Sequence, residues 1–160
     1  MEAFIILSDA AQIDASGKVG LLGAGWTITG PNVPPMAVTV FLRVPWEEAG
    51  QRRTFRIRLL DEEDQPVYRP GSDEDPIEFT GQLQLDEKRA LPDDEVRLVD
   101  IHVPISVTAH LPSLHGGHRY RWVFEVEGKE LASTSFVVRR DDTATNPEKD
   151  RKSTRLNSSH

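Results

Sequence analysis

The sequence contains no cysteine. That excludes disulfides, thiolate metal ligands and a cysteine nucleophile together. It fits a reducing compartment, and a cytoplasmic location is expected. No apolar segment approaches the ~20 residues a membrane-spanning helix needs, so no membrane partner is expected. The start, Met1-Glu2-Ala3-Phe4-Ile5-Ile6-Leu7-Ser8-Asp9, lacks a basic region, and its apolar run of four residues meets a charge at Asp9. A signal peptide needs both features, and none is expected. Helical periodicity is scarce as well: only Trp46-Glu47-Glu48-Ala49 hints at a single turn. Basic residues are in deficit, 19 against 26 acidic, for a net charge of −7. Phosphate binding depends on clustered Lys and Arg, so nucleic acid is not an expected partner.

Enzyme signatures are missing too. Gly20-Leu21-Leu22-Gly23-Ala24-Gly25 is out of order for a dinucleotide loop, and no Gly-Lys-Ser/Thr follows it. Ser8, Ser106 and Ser113 all stand outside a G-x-S-x-G turn. The chain is therefore read as non-catalytic and without a cofactor.

What is present is alternation. Phe55, Ile57 and Leu59 interleave with Thr54, Arg56 and Arg58. The same period of two runs through Ile77–Leu85, Ile101–Ala109, Tyr120–Glu127 and the set Val38, Val40, Leu42 and Val44. Such segments are half-buried antiparallel strands, and two stacked apolar faces make a sandwich. Asp14-Ala15-Ser16-Gly17-Lys18 is expected to turn a hairpin joining Phe4–Gln12 to Val19–Ile28, and Glu127-Gly128-Lys129 to turn the last one. Pro104 lacks an amide donor and places its strand at an edge or bulge. The expectation is one domain over residues 1–140: an all-β, antiparallel, immunoglobulin-like β-sandwich of seven to nine strands. Residues 141–149 read as a polar, disordered tail. Asp150–His160 (DRKSTRLNSSH) matches, at all eleven residues, one frame of a common short-read sequencing adapter. Without that segment the balance is 16 basic to 25 acidic residues, or −9.

The segment Gly117–Leu131 resembles the closing hairpin of bacterial immunoglobulin-like and fibronectin-like domains. Together with Leu7–Gln12 and Gly17–Trp26, it makes Ala3–Val138 similar to a family of uncharacterised bacterial β-sandwich proteins, common in actinobacteria. The resemblance implies a fold and no activity.

Four constellations could carry function. His110, His115 and His118 lie within nine residues, and imidazoles ligate zinc, copper or nickel. No acid neighbours them in sequence, so the bland reading is a histidine-rich loop. The acidic runs Asp61–Asp64, Asp73–Asp75 and Asp93–Glu95 lack the ligand spacing of calcium loops and read as solvated turns. Trp26, Trp46 and Tyr68 could form a stacking platform for a small ligand or carbohydrate. Phe41 and Val123 are apolar on nominally outer faces, which points to a surface for another protein. The leading expectation is a protein-interaction module, and the alternative is a ligand-binding sandwich.

Overall fold

The alternating segments do form strands. The computed structural model describes residues 1–85 and 95–141. Among the described residues it has ten: β1 (Glu2–Ser8), β2 (Ala10–Ile13), β3 (Val19–Leu22), β4 (Ile28–Thr29), β5 (Met36–Val44), β6 (Arg53–Leu60), β7 (Glu78–Leu83), β8 (Ile101–Ala109), β9 (His118–Val126) and β10 (Lys129–Val138). They build a three-stranded sheet ordered β1-β5-β8, a five-stranded sheet ordered β4-β10-β9-β6-β7, and a separate β2-β3 ribbon. All pairings are antiparallel except the short β4–β10 pair. Residues 142–149 of the tail and the adapter-like segment lie outside the described residues, as do Asp93 and Asp94.

Both sheets contribute to one hydrophobic core. From β5 come Met36, Val38, Val40, Leu42 and Val44; from β6, Ile57 and Leu59; from β9, Trp122 and Phe124. Trp122 donates its indole N–H to the Met36 sulfur at 3.3 Å, so the largest core ring ties one sheet to the other. Full burial of side chains this size is worth roughly 1.5–3 kcal/mol each.

The strand count exceeds the expected seven to nine because two long segments are broken. The Phe4–Gln12 run stops at Asp9, whose amide bonds Leu22 O at 2.9 Å. The Val19–Ile28 run stops at Gly23 and Gly25, both at positive φ, which only glycine adopts freely. The N-terminal hairpin is therefore short, Ala10–Ile13 against Val19–Leu22, and β1 pairs with β5 instead. Its turn forms as expected: Asp14 Oδ1 accepts from Ser16 N, Ser16 Oγ and Lys18 N at 2.8, 2.6 and 2.9 Å. The last hairpin turns at Glu127 and Gly128, both at positive φ. Pro104 sits in β8, an edge of the smaller sheet. Trp46–Glu48 makes one 3-10 turn.

The ribbon is not idle. β2 lies against β5 and β8. Ser8, Ala37 and Thr39, which the alternation turns away from the core, are buried nonetheless. The ribbon thus covers one half of the outer face of the smaller sheet and leaves the half around Phe4 and Phe41 open.

Candidate functional site

At one end of the fold, two connections face each other across a cleft of about 430 Å³. One is the β6–β7 connection, residues 61–70, and the other is the β8–β9 connection, residues 112–117. The first is shaped by its acids. Asp61 Oδ1 accepts from Glu63 N at 3.0 Å and Gln65 N at 2.9 Å, forming an Asx-type turn that Asp64 completes at φ 59°. Glu62 then reaches the start of β9, accepting from Arg119 N at 2.8 Å and meeting His118 Nδ1 at 3.2 Å. The Arg119 backbone bond, followed by the His118 contact, holds the Glu62 carboxyl below the ordinary glutamate range. Asp64 binds Arg121 at 2.9 Å, and Glu130 binds the same guanidinium at 2.6 Å. Burial works against the charge on Arg121, but these two hydrogen bonds outweigh it and raise its pKa. The acidic run is a turn bolted to β9.

The opposite wall hangs from Tyr120. Its hydroxyl accepts from His115 N at 3.0 Å while its ring stacks on Phe136 in the core, with centroids 5.8 Å apart. Leu114 is buried beneath. Gly116 in this wall has no room for a side chain. A Cβ on Gly116 would stand 2.8 Å from Arg139 O and 2.9 Å from Arg140 Cα.

The structure sorts the sequence candidates. His115 and His118 both line the cleft with ring centroids 6.3 Å apart, and Tyr68 joins them there. His110 does not line it. Among the described residues no group of three or more His, Asp or Glu is placed to hold a metal ion. Sequence proximity did reveal the histidine pair. It missed Glu62, which lies 56 residues from His118 and meets it only because β6 and β9 are neighbours.

Trp26 is not an open platform: it packs on the core, edge-on to Phe136 at 5.7 Å. Trp46 is also engaged. Its indole N–H bonds Val99 O at 2.8 Å, and the Arg97 guanidinium lies 5.9 Å from its ring centre. Val123 is buried on the outer face of the larger sheet, in register with Arg58 and Ser133. Beside it Glu125, only 5% exposed, binds Arg56 at 2.7 Å and Arg58 at 2.6 Å. Long arginine stems cover the face around Val123, while Ile28 and Val137 stay exposed at its β4–β10 edge.

Phe41 does point outward. It is the middle of a row across the smaller sheet, stacked on Phe4 of β1 at 4.8 Å and on His102 of β8 at 5.7 Å. Phe4 is 49% exposed. The alternation held the signal for it, since Ile5 and Leu7 face the core and Phe4 must then face away. At the rim of this row Glu2 and Arg43, both exposed, stand opposite each other.

The sequence profile of a family described as a family of unknown function (DUF6941) matches residues 3–139. No curated protein matches the chain. No helix among the described residues is long and apolar enough to cross a membrane.

Proposed function

Since the chain belongs to a family of unknown function, DUF6941, we propose from its geometry that it is a non-catalytic protein-interaction module. The two sheets are read as an immunoglobulin-like sandwich in a cytoplasmic setting. The outer face of β1-β5-β8 is its contact surface. The observation that carries this reading is the open aromatic row Phe4–Phe41–His102, left bare on a face whose other half the chain covers with its own ribbon. An exposed stack of rings with one acid and one base at its rim has the make-up of an interface centre, where aromatics and arginine are enriched. The fitting occupant is a protein segment presenting apolar side chains, because the row is a stack of partly exposed rings on an outward sheet face.

The test is a comparison of wild type with Phe4→Ser/Phe41→Ser. A protein recovered with wild type and lost with the variant is purified and titrated against both. The expected result is saturable binding weakened at least tenfold by the double substitution. Equal binding to both forms, or no protein lost with the variant, would remove the face from the function.

A ligand-binding reading is favoured by a separate observation, the cleft that gathers Tyr68, His115 and His118. Neither tryptophan supports it.

A further inference from the structure

The cleft shares no residue with the Phe4–Phe41–His102 row, and its chemistry can be read group by group. Several of its polar groups are already spent. Both Glu62 oxygens are engaged by β9, Asp61 Oδ1 holds its turn, and the His115 amide is bonded to Tyr120. Others are not. Among the described residues the Glu63 carboxylate, the Tyr68 hydroxyl and the His115 ring have no hydrogen-bond partner. They open into one cleft beside the exposed Ser113, and the rest of its lining is apolar: Val67, Pro70, Pro112 and Leu114.

The balance of charge in this lining is one-sided. It includes three carboxylates, two imidazoles and no Lys or Arg. An anionic ligand would meet three negative charges at close range, and a purely apolar one would leave Glu63 to be desolvated without a partner. A cation with N–H donors on an apolar stem satisfies each element together. Its stem lies along the prolines and Tyr68, the tyrosine face attracts the charge, and Glu63 accepts from the donors. At about 430 Å³ the cleft is within the range of pockets that hold small ligands or single side chains. Both walls are tied to β9, through Glu62 on one side and Tyr120 on the other. The cleft is therefore formed before any ligand arrives, which lowers the ordering cost of binding.

We infer that the cleft between the 61–70 and 112–117 connections binds a guanidinium or primary ammonium group on an apolar stem, held by Glu63, Tyr68 and His115. The group can belong to a free organic cation or to an arginine or lysine side chain of a protein.

The test is an amide-resonance titration of the whole chain with butylguanidinium chloride, against sodium chloride at matched ionic strength and against sodium butyrate. The expected result is saturable shifts at Tyr68, His115 and His118 with butylguanidinium only. Glu63→Gln and Tyr68→Ala should each weaken that affinity at least fivefold. Both positions are surface ones whose replacement spares the core. A second titration uses a capped Gly-Arg-Gly peptide. Binding tighter than that of butylguanidinium assigns the site to a protein side chain, and equal or weaker binding assigns it to a free cation. Non-saturating shifts matched by sodium chloride, saturation by butyrate, or saturation indifferent to both substitutions would overturn the inference.

Discussion

Phe4 and Phe41 face each other across the β1–β5 pair with ring centroids 4.8 Å apart and planes 7° from parallel. Directly opposed aromatic residues on one sheet face contribute roughly 0.5–1.5 kcal/mol beyond their buried area. This pair faces away from the core, so the cost of losing it is bounded. Phe4→Ser is expected to cost about 1 kcal/mol and Phe41→Ser about 1–2 kcal/mol by urea denaturation. A loss of ~3 kcal/mol or more from Phe41→Ser would mark a core position and leave less surface for a partner.

Much of the architecture is legible in the sequence because period-two alternation is a local signal. Val38, Val40, Leu42 and Val44 announce β5, and Tyr120, Trp122 and Phe124 announce β9. What alternation cannot carry is pairing. Nothing near Phe4 says that its strand joins β5 and not β3; that depends on the break at Asp9 and on the glycines at 23 and 25. The candidate site divides the same way. His115 and His118 are close in sequence and were visible as a pair, whereas Glu62 and Tyr68 reach them only through the order of β6, β7 and β9. The surroundings of the tryptophans are not legible in the sequence because exposure depends on a neighbour's position: Phe136 for Trp26, Arg97 and Val99 for Trp46.

Glu125 is buried between two arginines that keep partial exposure, 38% for Arg56 and 28% for Arg58. Removing one partner of a fully buried pair costs roughly 3–5 kcal/mol, and solvent reaching the arginines lowers that figure. Glu125→Ala should therefore cost about 2–3 kcal/mol by urea denaturation. Arg56→Ala alone should cost less, because Arg58 still neutralises the acid. Equal losses from the two substitutions would show that Glu125 is not the centre of the network.

Gly116 packs against the backbone that follows β10. A methyl group there would press on Arg139 O and Arg140 Cα, main-chain atoms that cannot swing aside. Gly116→Ala should cost about 1–3 kcal/mol by overpacking and shift the amide resonances of His115 and His118. Wild-type stability with unmoved resonances would show that the 112–117 connection accommodates the methyl group.

Zinc should not stabilise the protein. His110 is outside the cleft, and the His115–His118 pair has no third ligand placed with it among the described residues. A metal that bound only the folded chain would raise the melting temperature by mass action. A saturable rise with zinc at neutral pH, absent from His115→Ala/His118→Ala, would restore the histidines as a metal site.

Glu62 predicts an acid-side dependence of stability. Its carboxyl is held below its ordinary value, near 4.5, first by the Arg119 amide and then by His118. A carboxyl depressed in the folded state picks up its proton at higher pH in the unfolded chain. Its contribution is complete above the unfolded value and is lost as pH falls through the folded one. The stability difference between wild type and Glu62→Gln, followed by urea denaturation from pH 5.5 to pH 3, should therefore hold steady at first and shrink below about 4.5. The same titration watched at the His118 amide should show the contact between the turn and β9 loosening in that window. A difference that stayed flat or grew with acid would mean that the Glu62 charge does not hold the turn, and that Asp61 and Asp64 fix this wall of the cleft without it.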